Sequence, residues 1–308
     1  MANVLINGIS AKSGGGRSIL TNFLTVLKDQ NSGHKFTVVV PSVDGYNQFI
    51  CEYIDIVPFR ILSKQAILPF ASALVLPRLA TRLKCDVIFN LADLPIPTNI
   101  PQLFLFDWPY AAYPESTAWK LGGFVEVNKR KFKYLLFRRY LKFVNSMIAQ
   151  GPAMRDKLKR LYKIENISIV PNAVSTHNLD SFNSRDFALG DGFKLLCLSQ
   201  YYSHKNLEIF INLAELIKLN QLNWKIIITI HGEQGVGARE LLENIKRRSL
   251  ENIIVNIGTV SMHDVPSLYR QCDALLLPTL LESFSGTYVE AMYHGKPIFT
   301  SNYDFAVD

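Results

Sequence analysis

Along the whole chain, short apolar runs alternate with longer stretches whose apolar positions recur at helical spacing. That alternation is the pattern of repeated strand–helix units with parallel strands. In the first half, Val4–Asn7, Phe36–Val40, Asp86–Asn90, Gln102–Phe106, Met147–Ala149 and Ile167–Val170 read as strands. Arg17–Leu27, Lys129–Val144 and Met154–Leu161 read as helices. Prolines break up Asn47–Leu83, and the pattern does not assign it. After Pro171-Asn172-Ala173 the chain turns polar and rich in Gly, Asp, Asn and Ser as far as Gly192, as a linker would. A second series follows, with strands at Leu195–Ser199, Lys225–Ile230, Ile253–Ile257, Ala274–Leu277 and Pro297–Thr300. Its helices are expected at Leu207–Leu219, Ala238–Leu250, Asp264–Gln271 and Thr287–His294.

The expected fold is therefore α/β, with two doubly wound parallel-sheet domains over residues 1–172 and 193–308, joined by a linker at 173–192. Two such domains would face a cleft, and ligands of such sheets bind beyond the carboxyl ends of the strands. The length of 308 residues suits two α/β units, and 48% hydrophobic against 19% charged residues excludes a disordered chain. No apolar run is long enough to span a bilayer. The first residues read as a strand and not as a leader peptide. Four cysteines and six histidines are scattered singly, so neither a metal site nor a disulfide framework is expected. A cytoplasmic location follows from these features. The net charge of +7 favours anionic partners.

Chemistry concentrates near the end, in P-T-L-L-E-S-F-S-G-T-Y-V-E-A-M-Y-H-G-K-P-I-F-T-S, Pro278 to Ser301. Glu282 and Glu290 are separated by seven residues and flank a Ser/Gly segment, Ser283 to Thr287, that opens a helix. Backbone N–H groups at a helix start, with the helix dipole behind them, can hold phosphate. Gly286 would let a ligand approach the backbone. Glu290, one turn in, could accept hydrogen bonds from ribose hydroxyls. Glu282 could hold a sugar hydroxyl or stabilise developing positive charge. A second motif, S-Q-Y-Y-S-H-K-N-L (Ser199–Leu207), places Lys205 at a strand-to-helix turn, where it could neutralise a diphosphate. A third, S-G-G-G-R-S (Ser13–Ser18), follows the first strand but matches neither G-x-G-x-x-G nor a P-loop.

Together these segments resemble retaining GT-B glycosyltransferases of family four. The resemblance implies transfer from a nucleotide-diphosphate sugar with retained configuration, with no metal and no further cofactor. It casts the first domain as the acceptor side and the second as the donor side. It assigns Lys205, Glu282 and Asp107 to the reacting groups. Glu290, Ser283, Phe284, Ser285, Gly286 and Thr287 would bind the donor, with Gly15 and Gly16 facing its phosphates and backbone near Gly258 and Val260 reading the base. In F-L-F-D-W-P-Y (Phe104–Tyr110), Asp107 is retained and could bind a donor or acceptor hydroxyl or equally cap the following turn, while Phe106 stands where the family often has histidine. Gln200 stands where it usually has arginine. Family members usually continue beyond the position of Asp308, so closing elements of the second domain are expected to be missing.

The positive charge is densest in Asn128–Phe143, where seven Lys/Arg mix with five aromatic residues. Such a helix can lie on an anionic membrane surface, which would suit a lipid-linked acceptor at the inner face of the plasma membrane. It can equally pack its aromatic face on the sheet with its cations solvated. No nucleic-acid module is present. The expected partners are thus a nucleotide sugar and a glycan or lipid-linked acceptor, in cell-surface polysaccharide assembly. A nucleotide-sugar-binding module without turnover, a sugar-nucleotide epimerase and a nicotinamide-dependent dehydrogenase remain open, the last disfavoured by the absent glycine fingerprint.

Overall fold

The computed structural model describes residues 1–12, 14–59, 68–172 and 185–307. Ser13 of the glycine segment and residues 173–184 of the expected linker lie outside them. The elements begin β1 Asn3–Asn7, α1 Gly14–Asp29, β2 Lys35–Val40, β3 Ile54–Pro58 and α2 Leu68–Arg82. They continue β4 Val87–Asn90, β5 Gln102–Leu105, α3 Phe124–Tyr140, β6 Ser146–Ala149, α4 Pro152–Tyr162 and β7 Ile167–Ile169. The second series is β8 Phe193–Cys197, α5 Ile209–Leu219, β9 Trp224–Ile228, α6 Val236–Arg247, β10 Ile254–Asn256 and α7 Val265–Gln271. It closes with β11 Ala274–Leu277, α8 Gly286–Tyr293, β12 Ile298–Thr300 and α9 Asp304–Val307.

Two compact units result. One takes the described residues of Met1–Glu115 and Gly123–Ala173, the other those of Ser116–Gly122 and Val174–Val307. The first holds a seven-stranded sheet in the order β3-β2-β1-β4-β5-β6-β7, the second a five-stranded sheet in the order β10-β9-β8-β11-β12. Neighbouring strands pair parallel in both. Each sheet reverses its winding once, between β1 and β4 in the first and between β8 and β11 in the second. Loops leaving the carboxyl ends of those strand pairs splay apart, and the crevice between them is where such sheets take ligands.

The alternation of side chains along a strand builds the first sheet's two cores. Leu5, Val39 and Ile88 pack with Leu76 and Ala80 of α2 on one face. Ile6, Val38 and Val40 pack with Leu20, Leu24 and Leu27 of α1 on the other. Burying one such leucine contributes roughly 1.5–3 kcal/mol. In the second unit Leu196, Ile226, Ile227, Ile228, Leu275 and Leu277 form the sheet's share of a single core with α5, α6 and α7.

Two elements fall in the stretch that its prolines obscured. β3 is an edge strand ending at Pro58, which an edge tolerates because half of its backbone groups need no ladder partner. α2 carries Pro77 within it, and the missing N–H and fixed ring angle disguise the helix in the sequence.

At the first sheet's reversal the terminal residues of β1 and β4 are paired asparagines. Asn7 and Asn90 stand in register and are fully buried. Asn7 Nδ2 donates to Asn90 Oδ1 (2.8 Å), and Asn90 Nδ2 donates to Gln102 Oε1 (2.7 Å) and the Leu94 carbonyl (2.9 Å). Gln102 in turn accepts from the Ile96 N–H (3.0 Å) and donates to the Ile96 carbonyl (3.1 Å). Buried amides are tolerated when partnered in this way, and the network pins the loop after β4 to the sheet.

Candidate functional site

At the second sheet's reversal, the loops after β8 and β11 are tied together. The β8 loop tightens into a short helical turn at Ser203–Lys205 and then places Asn206 in the left-handed region (φ 57°). Asn206 Nδ2 donates to the Pro278 carbonyl (3.2 Å), while the Leu280 N–H (2.8 Å) and the Thr279 hydroxyl (3.2 Å) donate to the His204 carbonyl. These bonds bring Lys205 Nζ onto Glu282 Oε1 as an ion pair. Both side chains are largely buried, with 15% and 10% of their surface exposed. Burial pushes the Lys205 ammonium down, but the Glu282 carboxylate and its hydrogen bond, aided by Cys197 and Tyr288, outweigh it and hold the ammonium above its ordinary range. Lys205 is therefore a cation at neutral pH. Cys197, beside it at the end of β8, is pushed up to about 12 by burial and stays a neutral thiol.

Ser283 and Phe284 are half-buried in the turn that leads to α8. Ser285 is the residue before the helix, and its hydroxyl pairs with Thr287 Oγ1 (2.8 Å) and makes no capping bond to the helix backbone. Gly286 and Thr287 form the first turn, whose N–H groups lie outside the helical ladder. Glu290 is only 8% exposed. Its Oε2 accepts from the Tyr269 hydroxyl of α7 at 3.2 Å. Burial pushes the Glu290 carboxyl up, and the Tyr269 hydrogen bond pulls part of the shift back. The two glutamates thus sit in unlike surroundings. Glu282 faces a full positive charge, while Glu290 faces a single hydroxyl.

Tyr288 lies beside the ion pair. Its hydroxyl is pushed up by burial first, and it responds to both Glu282 and Lys205. It bonds to Thr300 Oγ1 (2.6 Å), which donates to the Leu277 carbonyl (3.0 Å) and so ties α8 to the ends of β11 and β12. Sequence reasoning missed Tyr269 and Tyr288. Tyr288, two residues before Glu290 inside the same motif, carried a positional signal; Tyr269, in a short and mostly buried helix outside any motif, carried none.

Near the same edge, Gln200 is exposed and its Oε1 accepts from the Tyr202 hydroxyl (3.1 Å). The Tyr202 ring stacks on His204 with centroids 5.5 Å apart. His231, Glu233, Gln234 and Thr259 line a shallow concavity of about 370 Å³. Gly258 and Val260 flank Thr259. Gly258 adopts a φ of +72°, which a glycine alone takes without strain, and an added Cβ there would meet open space. Val260 is half-buried against the core.

The remaining expected residues belong to the first unit. Gly15 and Gly16 open α1, preceded by Gly14 at φ +60°, and an added Cβ at Gly14 or Gly15 would meet nothing. Arg17 lies over the Tyr46 ring, 5.9 Å from its centroid. Asp107 accepts from Gln150 Nε2 (2.9 Å), whose Oε1 accepts from Asn172 (2.8 Å). Phe106 is wholly buried, its ring 5.7 Å from that of Phe137, so this position is a core contact. Phe137 of α3 packs on Phe104 of β5 and on Phe106, as one of the two expectations has it, but two of the helix's cations turn inward onto aromatic rings. Arg130 is buried over the Tyr110 ring (4.8 Å), and Lys133 pairs with Asp93 and lies 4.3 Å from the Trp108 ring centre. Phe124, Val125, Phe132 and Leu135 face outward, 83%, 64%, 45% and 63% exposed.

Among the described residues no group of three or more His, Cys, Asp or Glu could hold a metal ion. No described helix is long and apolar enough to cross a membrane.

The model of Glycosyltransferase Family 4 matches residues 13–178, and that of Glycosyl transferases group 1 matches residues 181–308. The chain is similar to a D-inositol 3-phosphate glycosyltransferase of Paenarthrobacter aurescens, 24% identical over 165 residues. That match covers 51% of this chain and 40% of the relative, so the chain spans less than half of that relative's length in the match. Among solved structures it is similar to Anabaena HepE in complex with UDP-glucose, with a TM-score of 0.70 and 18% identity over 100% of this chain and 82% of that one. A glycosyltransferase from Rickettsia africae superimposes with a TM-score of 0.66 and 17% identity over 99% and 80%. At these identities the likeness shows the fold, which is GT-B: two Rossmann-like α/β domains with parallel sheets.

Proposed function

The chain belongs to Glycosyltransferase Family 4, and from that premise we propose that it transfers a hexosyl-type sugar from a nucleotide-diphosphate sugar to a glycan or lipid-linked acceptor, with retained configuration. The observation that carries the reading is the Lys205–Glu282 ion pair beside the start of α8, at the reversal of the second sheet. A crevice there, with one buried cation and a helix N-terminus, suits a diphosphate.

In this reading the diphosphate takes over Lys205, and Glu282 is released to accept hydroxyls of the sugar. Lys205 and the N–H groups at Ser283–Thr287, with Phe284 in the turn, stabilise the negative charge that develops on the leaving diphosphate. Glu290 accepts from the ribose, and backbone at Gly258 and Val260 contacts the base. Gly15 and Gly16 are assigned to the donor phosphates, and Asp107 to donor or acceptor hydroxyls. Lys205 and the helix start supply the positive charge, so no metal and no further cofactor is assigned. The outward apolar residues of α3, with Lys129, Lys131, Arg138 and Arg139 on the same helix, support contact with an anionic membrane surface. A role in cell-surface polysaccharide assembly on the cytoplasmic side fits such an acceptor.

The test is a panel of UDP, GDP and ADP, with and without magnesium, read by thermal shift on the wild type, Lys205→Ala and Glu290→Ala. Selective stabilisation by one diphosphate, independent of magnesium and lost in both variants, is expected. No stabilisation of the folded wild type by any of the three defeats the reading. A second reading, binding without turnover, is favoured by the buried Phe106 and the exposed Gln200, at the two positions where the family resemblance implies His and Arg. Release of free nucleotide from the matching nucleotide sugar, with an acceptor extract present, excludes it.

A further inference from the structure

The Tyr269 hydroxyl sits 3.2 Å from two acceptors, Glu290 Oε2 and the carbonyl of Thr287. Tyr269 itself is 1% exposed, so no solvent substitutes for either contact. A phenol has one proton to donate. When Glu290 is ionised both neighbours are acceptors, and the proton can serve only one fully. When Glu290 is protonated, it can donate to the phenol oxygen, which then donates to Thr287. The ionisation of Glu290 and the direction of the Tyr269 hydroxyl are therefore linked, at the first turn of the helix that opens the site.

We propose that Tyr269 is a positioning residue for the nucleotide: its hydroxyl fixes the Glu290 carboxylate by one oxygen and leaves the other to accept the ribose hydroxyls. The inference rests on the donor-site reading above and assigns a role to a residue on a different helix, α7. The ribose must donate to Glu290, and the ionised carboxylate is the stronger acceptor for its hydroxyls. Desolvation works against that charge, and the Tyr269 hydrogen bond works for it. Other titratable groups surround the pair. Cys272, just after α7, and Cys197, at the end of β8, are thiols raised to about 12 by burial. His294, at the end of α8, stacks on the Tyr269 ring with centroids 5.1 Å apart. Neither thiol changes charge between pH 5 and 9, whereas the nucleotide's own terminal phosphate does, with a second pKa of about 6, and Glu290→Gln separates its share of the acid limb from that of Glu290.

Tyr269→Phe keeps the ring and its stacking and removes only the hydroxyl. The experiment measures the Kd of the tightest binder among UDP, GDP and ADP from pH 5 to pH 9, for wild type, Tyr269→Phe and Glu290→Gln. The expected result for Tyr269→Phe is a severalfold weaker Kd at pH 7, with the acid limb moved to higher pH and affinity recovering toward wild type at pH 9. Glu290→Gln is expected to bind more weakly and to keep only the acid limb set by the nucleotide's terminal phosphate. A Tyr269→Phe variant that loses affinity equally at every pH has lost packing only, and the proposal falls. It falls also if the affinity is unchanged, or if Glu290→Gln keeps the whole of the wild-type acid limb. Should Tyr269→Phe fail to fold, the Glu290→Gln arm alone still decides whether Glu290 ionisation governs binding. If the wild type binds none of the three nucleotides, the donor-site reading fails first and this inference with it.

Discussion

The same topological event occurs once in each sheet, and the two reversals are built from opposite chemistry. In the first sheet the crevice between β1 and β4 is closed by neutral amides, with Asn7, Asn90 and Gln102 satisfying one another and the surrounding backbone. In the second, the crevice between β8 and β11 holds a lysine and a glutamate. An amide network that is fully satisfied has nothing left to offer a ligand, and any intruder must break it. An ion pair differs, because either member can exchange its partner for another charge of the same sign. Burying the charges is costly, and a hydrophobic pair of the same shape is often at least as stable. A buried pair at a sheet reversal is thus poorly explained by stability and well explained by exchange with an anionic ligand.

The largest test of that contrast is Lys205→Ala. It strands Glu282 as a buried, uncompensated charge and is expected to destabilise the second unit by about 3–5 kcal/mol, read by chemical denaturation. Lys205→Met combined with Glu282→Leu should recover wild-type stability or exceed it while nucleotide binding stays absent. If the double variant is as unstable as Lys205→Ala, the pair is a structural necessity and the contrast collapses. Next in size is Asn7→Ala in the first unit. It removes one amide from the network and leaves Asn90 short of a donor, at a cost of about 1–3 kcal/mol. No compensating apolar double is expected to be neutral there, because the Ala92 N–H also depends on Asn90 Oδ1. Nucleotide affinity should be unchanged in Asn7→Ala; a loss of affinity would mean that the first reversal is not the closed one.

The strand–helix rhythm made most of this fold legible. β1, β2 and β4 through β12 fall where apolar runs end in turn residues, within a residue or two of the expected bounds. β3 and α2 were hidden by Pro58 and Pro77, since local propensity is overridden where an edge or a packed face supplies the stabilisation. At the candidate site, charge and spacing pointed to Lys205, Glu282 and Glu290, but spacing carries no information on who pairs with whom. That Lys205 meets Glu282 depends on the hydrogen bonds from Asn206 and Thr279 across two loops 70 and more residues apart. That Tyr269 meets Glu290 depends on how α7 packs beside α8. The inward cations of α3 were illegible for a similar reason. A basic residue reads as solvated until an aromatic ring, here Trp108 or Tyr110, is placed beneath it by the tertiary fold.

The smallest effect separates the two glutamates from each other. Burial raises the Glu290 carboxyl above its ordinary value of 4.5. A folded-state value above the unfolded one means that the native protein binds the proton more tightly. The favourable balance is complete below the unfolded pKa and is lost as pH rises through the folded one. Glu290→Gln, which cannot ionise and keeps an acceptor for Tyr269, should therefore melt higher than wild type at pH 7, on the order of a degree or two. The difference should shrink toward zero by about pH 4. Glu282→Gln should act in the opposite direction at pH 7, because it deprives Lys205 of its carboxylate. Melting curves for the two variants across that pH range read both signs. Equal signs would show that the two glutamates share one environment; opposite signs would mark Glu282 as a partner held in place and Glu290 as a charge kept, at some cost to stability, for a ligand.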